Sequence, residues 1–141
     1  MISYLDTSAV VAAHTREAAT SRVHRWLETV DAGDLAISPW VSTEFASALA
    51  KKVRSGAAPL EERAQALASW RLFVEDKVRI LPVTAEDFQL AADLAGRHEL
   101  GLRAGDALHV AIASAAGCTL VTLDERLANA APEVGVPVVA I

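Results

Sequence analysis

Short apolar runs alternate along this chain with longer segments of helical periodicity. An apolar run of about four to eight residues is too short for a stable helix and has the length of a buried strand. The intervening segments place apolar residues three and four positions apart, as amphipathic helices do. Alternating strands and helices predict an α/β protein with three layers, α/β/α, around a central parallel sheet. The predicted strands are Met1–Leu5, Leu35–Ser38, Lys77–Leu81, Gly117–Thr122 and Pro137–Ile141.

Length and composition narrow the class of protein. The 141 residues have the length of one domain, and we expect a single domain over residues 1–141. Hydrophobic residues make up 52% of the chain, which excludes a disordered protein. The net charge of −5 argues against a general polyanion binder. Cys118 is the only cysteine, so neither an intrachain disulfide nor a thiolate zinc cluster can form.

The sequence contains no basic segment ahead of an apolar stretch at its start, as a signal peptide would have. It also contains no uncharged apolar window of about 18 residues, the length that a transmembrane helix needs. We therefore expect a cytoplasmic protein that does not associate with membranes.

Four acidic residues stand at comparable positions relative to the predicted strands. Asp6 follows the first strand, and Asp124 follows the fourth. Glu44 lies in the helix after the second strand, and Asp106 begins the helix before the fourth. Right-handed crossovers place the carboxyl ends of parallel strands along one edge, where α/β proteins bind ligands. We therefore expect the four carboxylates to lie close together.

Each acid also has an explanation that requires no functional site. Asp6 and Asp106 could serve only as helix N-caps, because Asp is among the best cap residues. Glu44 lies more than one turn inside its helix, where capping and the helix dipole have faded. Its alternative is a solvated position at the edge of the apolar stripe. His109, one turn after Asp106, is interpreted as a hydrogen-bonded core histidine.

Four carboxylates in one cleft would repel one another strongly. They would need divalent cations, or some of them would become protonated. Ligation by oxygen alone suits Mg²⁺ or Mn²⁺ rather than zinc. Such metals activate a water molecule and hold a phosphodiester for in-line displacement. The acids therefore predict a metal-dependent hydrolase.

Four segments of the chain, in the same order and at similar spacing, resemble the signature segments of PIN-domain nucleases. The greatest similarity is to the VapC-type toxins of bacterial and archaeal toxin–antitoxin pairs. The resemblance extends over essentially the whole chain, and four segments in register are far more specific than any one of them. The segments are Leu5–Val10, Glu44–Leu49, Arg103–Ala113 and Thr122–Asp124.

This resemblance implies a function and a set of site residues. It implies a metal-dependent endoribonuclease that forms a homodimer and is inhibited by a small VapB-type antitoxin. The matching catalytic acids are Asp6, Glu44, Asp106 and Asp124. We expect Asp6 and Asp106 to bind the principal Mg²⁺ or Mn²⁺ ion, while the other two acids complete its shell or hold a second ion. Ser8 and Thr122 match hydroxyl positions beside the metal.

An RNA substrate would need basic residues along its approach to an acidic site. Lys51 and Lys52 lie roughly 10 Å beyond Glu44 along one predicted helix. Arg103 and Arg126 flank Asp106 and Asp124 in the sequence. These four basic residues are the predicted RNA contacts, although each of them also fits a solvated surface position.

A second function remains open at the level of sequence. A PIN-domain ribonuclease of RNA maturation or turnover, acting without an antitoxin, would have the same acids at the same positions. The sequence does not separate the two functions, because an antitoxin would be encoded by another gene.

Overall fold

The computed structural model of the chain describes residues Met1–Ile141. All five predicted strands are present, each within its predicted segment, and they form one sheet. The sheet is parallel throughout, with the strand order β3-β2-β1-β4-β5. The predicted α/β class with a central parallel sheet is therefore confirmed. The strands are β1 (Ser3–Leu5), β2 (Leu35–Ile37), β3 (Val78–Ile80), β4 (Thr119–Thr122) and β5 (Val138–Ala140).

Helices connect the strands and make up the outer layers. The first four helices pack against one another, and the fifth packs against the sixth. None of the helices combines the length and the hydropathy needed to span a membrane. The helices are α1 (Thr7–His14), α2 (Thr20–Leu27), α3 (Pro39–Arg54), α4 (Leu60–Asp76), α5 (Ala85–Gly96), α6 (Ala104–Ala116) and α7 (Glu125–Glu133), and a short 3₁₀ turn covers His98–Leu100.

Local sequence signals account for where several helices begin. Pro39 occupies the first position of α3, where its missing N–H is not needed. Thr84 and Asp87 form a reciprocal capping box at the start of α5. Helix α6 begins at Ala104 with Arg103 as its N-cap, two residues before the predicted start at Asp106. The interpretation of Asp106 as a helix cap was therefore wrong.

Strand β1 occupies the centre of the sheet, between β2 and β4. Tyr4 lies opposite Ala36 on one side, and Leu5 lies opposite Val121 on the other. Both β1 residues are buried, as a central strand covered by helices on both faces requires. The residues that follow β1 and β4 consequently emerge side by side at one edge of the sheet.

An aromatic cluster around His14, the last residue of α1, joins α1 to α3 and α4. The imidazole ring lies 5.9 Å from Phe45, 5.7 Å from Trp70 and 5.1 Å from Phe73, in edge-on arrangements. Its Nδ1 atom lies within hydrogen-bonding distance of the Ser69 hydroxyl, at 2.8 Å. Its Nε2 atom is buried without a partner. Burial, with a smaller contribution from the His24 charge, lowers the pKa of His14 to about 4.

We expect this histidine to make the protein sensitive to acid. The unfolded chain takes up a proton at His14 near pH 6.5, whereas the folded protein does so only near pH 4, so stability falls as the pH drops between these values. Between pH 7 and pH 4.5 the wild type should lose roughly 2–3 kcal/mol of unfolding free energy through His14. His14→Phe has no group that titrates there and should not show this loss. Urea unfolding at both pH values measures this difference. Ser69→Ala, which keeps the imidazole, is the control and should retain the wild-type pH dependence.

Candidate metal-binding active site

Asp6 lies at the carboxyl end of β1 and is 3% exposed. Its Oδ1 atom accepts hydrogen bonds from the Ala9 N–H (3.0 Å) and the Ser8 hydroxyl (2.6 Å). Its Oδ2 atom accepts a hydrogen bond from the Thr122 hydroxyl at 2.5 Å. Asp6 is therefore the N-cap of α1, as one of its two interpretations predicted. Each carboxylate oxygen has two lone pairs, and Oδ2 accepts only one hydrogen bond, so one lone pair of Asp6 remains available to a ligand.

Two hydroxyl groups join the end of β1 to the end of β4. Thr122 also accepts a hydrogen bond from the Asp124 N–H (2.9 Å), and Ser8 accepts one from the Leu123 N–H (3.0 Å). Asp124 is exposed and caps α7 by accepting from the Leu127 N–H (3.0 Å) through Oδ1. The hydroxyls predicted to lie beside the metal therefore contact Asp6 and the segment that leads into Asp124.

Glu44 lies in the second turn of α3 and is only partly exposed. Its Oε1 atom accepts hydrogen bonds from the Thr7 hydroxyl (2.6 Å) and His109 Nε2 (2.5 Å). Its Oε2 atom faces the start of α6 and would lie 3.2 Å from a Cβ added to Gly105. The glycine thus permits a close approach of α6 to Glu44. Glu44 is not the freely solvated residue that its alternative interpretation predicted.

Asp106 lies in the first turn of α6 and is partly buried. Its carboxylate forms no hydrogen bond or ion pair with any other group of the protein, although the carboxylates of Asp6, Glu44 and Asp124 act on it electrostatically. Its position at the N-terminal end of a helix is favourable for a negative charge. It is therefore the acid of the four with the greatest unused capacity to bind a ligand.

The surroundings shift the pKa values of these acids in opposite directions. Burial, and then repulsion by Asp124, raises the pKa of Asp106, and Asp6 and Glu44 add to the effect. Burial also raises the pKa of Asp6, against the His109 charge and the hydrogen bonds that Asp6 accepts. For Glu44, burial opposes ionisation, but the hydrogen bond from His109, the charge of that ring when it is protonated, and the hydrogen bond from Thr7 outweigh burial, so the pKa of Glu44 is lowered. The four acids are thus electrostatically coupled.

Three of the site's hydrogen-bonding residues were not among the predicted site residues. Thr7 and His109 contact Glu44, and Tyr4 contacts His109 Nδ1 at 2.9 Å. His109 is 2% exposed and hydrogen-bonded, as a core histidine was predicted to be, but its partner is one of the acids. For His109, the sequence signal is its spacing of one helical turn from Asp106. For Thr7, the only signal is its position next to Asp6.

The predicted RNA contacts divide into two groups. Arg103 and Arg126 line the same cavity as Asp106 and Asp124, a space of about 760 Å³, and neither arginine forms an ion pair. Neither Lys51 nor Lys52 lines this cavity.

The two lysines lie farther along α3. Lys52 pairs with Glu17 at 2.9 Å and lines a separate cavity of about 350 Å³ next to α1 and α4. Lys51 is exposed. The structure therefore brings the two arginines to the acids and does not bring the two lysines there.

The free oxygens of the acids are suitable ligands for a hard divalent cation. In this conformation no three of the chain's His, Cys, Asp and Glu side chains are close enough together to hold a metal ion. The Asp106 carboxylate, Glu44 Oε2 and Asp124 Oδ2 nevertheless accept no hydrogen bond from the protein. An all-oxygen set of coupled, repelling carboxylates matches the chemistry of Mg²⁺ or Mn²⁺, whose charge would offset their repulsion. The residues present therefore fit such an ion.

Comparison with known families identifies the class to which this fold and acidic edge belong. The sequence model of the PIN-domain family matches residues 3–132 of this chain. The chain therefore belongs to the PIN-domain family. No curated protein sequence matches the chain significantly.

Solved structures share the fold at low sequence identity. VapC20 from Mycobacterium tuberculosis, described as a toxin that cleaves the sarcin–ricin loop, is similar with a TM-score of 0.70 at 20% identity, over 91% of this chain and 94% of that one. VapBC2 from Rickettsia felis, solved with a promoter DNA fragment, has a TM-score of 0.68 at 19% identity over 99% and 98% of the two chains. FitAcB from Neisseria gonorrhoeae has a TM-score of 0.68 at 25% identity over 97% and 96%.

The repulsion at Asp106 leads to a prediction about the metal-free protein. The pKa of Asp106 in the folded protein is raised above its ordinary 3.8. The free energy of unfolding therefore falls as the pH rises from about 3.8 through that raised pKa. Asp106→Asn should raise the Tm in EDTA at pH 7 by a few degrees, and the gain should shrink as the pH falls towards 4. Differential scanning calorimetry measures both. Asp31→Asn, an exposed residue between α2 and β2, should leave the Tm unchanged, and a lower Tm for Asp106→Asn would contradict the repulsion.

Proposed function

We propose that this chain is a Mg²⁺- or Mn²⁺-dependent endoribonuclease, the toxin of a VapBC-type toxin–antitoxin pair, formed by a single PIN domain over residues 1–141 and acting in the cytoplasm. The observation that carries the proposal is the placement of four acids from separate parts of the sequence along one edge of the sheet. Asp106 and Asp124 line one cavity, Thr122 links Asp6 to the Asp124 N–H, and Glu44 Oε2 faces the start of α6. Asp106 is electrostatically coupled to Asp6, Glu44 and Asp124 in that position. The membership of the PIN-domain family supports the same activity.

The geometry suggests a role for each group. Asp6 and Asp106 are the proposed direct ligands, and Glu44 and Asp124 complete the set or hold a second ion. Ser8 and Thr122 hold the Asp6 carboxylate in one orientation through hydrogen bonds to both of its oxygens. When bound, the metal would lower the pKa of the attacking water and neutralise charge on the phosphodiester. The 3′ oxygen would leave, so the product would carry a 5′ phosphate.

Arg103 and Arg126 are the proposed contacts to the RNA backbone. Both are exposed at the acidic cavity and free of ion pairs, so their charges remain available to phosphate groups. They supply local positive charge on a protein whose net charge is −5. This arrangement favours RNA that enters the cavity over general binding of nucleic acid along the surface.

Cleavage should depend on the acids and on a divalent ion. Asp6→Asn and Asp106→Asn should each lower the cleavage rate of a model RNA by about 10²–10³-fold, the usual loss when a group that stabilises transition-state charge is removed. Asn keeps the capping ability of Asp6, so the fold should be retained. Gel-based cleavage assays with Mg²⁺ or Mn²⁺ measure the rates, and Asp76→Asn is the matched control. Cleavage that persists in excess EDTA, or a product with a 2′,3′-cyclic phosphate, would contradict the proposed chemistry.

The proposed partners are a VapB-type antitoxin and a second copy of the chain. Several of the similar structures are described as toxin–antitoxin assemblies, including a complex from Klebsiella pneumoniae and VapBC-5 from Mycobacterium tuberculosis. The acids could accept an arginine or lysine of the antitoxin, whose charge would pair with more than one carboxylate. For a homodimer, Leu72, Ile80 and Phe88 supply large apolar side chains that are at least half exposed.

Expression without the antitoxin should arrest growth of the host cell. Asp6→Asn should lift the arrest because it removes a catalytic acid, whereas Asp76→Asn should still arrest growth. Co-expression of the small open reading frame next to this gene should restore growth and yield a co-purifying complex. If the wild-type protein is harmless at high expression and purifies alone, the toxin proposal fails and a ribonuclease of RNA maturation takes its place.

A further inference from the structure

We infer that His109 is a positioning residue for Glu44, and that a buried hydrogen-bond chain from Ser38 through Tyr4 and His109 sets the affinity of the acidic site for a divalent cation. This inference rests on the proposed function, because it assumes that Glu44 is a ligand of that site. The chain lies behind Glu44, in the core of the protein, and none of its members is among the proposed catalytic residues.

The chain is continuous and buried. The Tyr4 hydroxyl lies 2.8 Å from Ser38 Oγ and 2.9 Å from His109 Nδ1, and His109 Nε2 lies 2.5 Å from Glu44 Oε1. Ser38 and Tyr4 have no exposed surface, and His109 is 2% exposed. Solvent therefore cannot replace a missing partner at the Ser38–Tyr4 and Tyr4–His109 contacts without entering the core.

The donors along the chain can be ordered in one consistent way. The Glu44 carboxylate accepts hydrogen bonds only, so His109 Nε2 must carry the proton that faces it. In the neutral form of the imidazole the Nδ1 atom is then bare, and it accepts a hydrogen bond from the Tyr4 hydroxyl. The Tyr4 oxygen can accept in turn from the Ser38 hydroxyl. Each group is satisfied, and Glu44 and Tyr4 favour the same tautomer of His109.

Ser38 provides an independent indication that the buried hydrogen-bond chain does more than stabilise the start of α3. Ser38 is the N-cap residue of α3, yet its side chain makes no capping hydrogen bond. Its hydroxyl is directed to Tyr4 instead. A serine at this position normally stabilises its own helix, so this hydroxyl contributes to the buried chain in place of that contact.

The consequence for Glu44 is a restricted carboxylate. Oε1 is held by both His109 and Thr7, which prevents the group from rotating and leaves Oε2 facing the start of α6, where Asp106 lies. A ligand that is already oriented loses less conformational freedom when the cation binds. Groups that orient metal ligands in this way typically contribute about 10–100-fold to metal affinity.

The test is the affinity of the metal-free protein for Mn²⁺, measured by EPR titration at pH 8 without RNA. His109→Asn keeps a polar group near Tyr4 but does not reach Glu44, and it should weaken Mn²⁺ binding by about 10-fold. His109→Gln can still donate to Glu44 and should restore most of the affinity. His24→Asn, a histidine that bonds the Ala13 carbonyl away from the acids, is the control and should bind as the wild type does.

Tyr4→Phe keeps the aromatic ring and removes only the hydroxyl, so it decides the question if His109→Asn does not fold. It should weaken Mn²⁺ binding less than the loss of His109 does. The ¹⁵N spectrum of the imidazole should also show protonated Nε2 in both proteins, with a changed Nδ1 shift in Tyr4→Phe, where that atom loses its hydrogen bond. Equal Mn²⁺ affinity in the wild type and the folded variants overturns this inference alone, whereas a wild type that binds no Mn²⁺ and cleaves no RNA overturns the proposed function.

Discussion

The structure depends on one buried carboxylate at the end of the central strand. Asp6 is almost completely buried, and an ionised carboxylate there is tolerated because both of its oxygens accept hydrogen bonds. Those bonds come from the start of α1 and from Thr122 at the end of β4. The same contacts therefore close the fold across β1 and β4 and place Asp6 at the ligand-binding edge of the sheet. Stability and function meet in this one group.

The other acids differ in how the protein restrains them. Glu44 is held by Thr7 and His109, which lower its pKa, whereas Asp106 has no partner and its pKa is raised by burial and by its acidic neighbours. One acid is thus oriented in advance, and another remains free to respond to a ligand. A site of this kind is strained by repulsion when it holds no cation, and a divalent ion would relieve that strain.

The distribution of basic residues follows from the direction of the helices. Glu44 lies in the second turn of α3, close to the edge of the sheet where the helix begins. Lys51 and Lys52 lie in the last turns of the same helix, which leads away from that edge, and Lys52 is engaged with Glu17. Arg103 and Arg126 lie at the beginnings of α6 and α7, so they remain at the acidic cavity. A short separation from Glu44 along α3 therefore did not predict that a basic residue lies at the acidic cavity. A position at the start of α6 or α7 did.

The sequence by itself determined the architecture. The apolar runs and the helical periodicity between them specified five parallel strands, because the length of a run and the period of a pattern depend on local residues. Right-handed crossovers then required the acids to lie at one edge of the sheet. Local chemistry also determined the capping box of Thr84 and Asp87. Only the tertiary structure decided that α6 begins at Ala104, that His109 faces Glu44, and that Ser38 bonds Tyr4 rather than its own helix. These features depend on which helix faces pack together, and that choice is made by contacts between residues far apart in the chain.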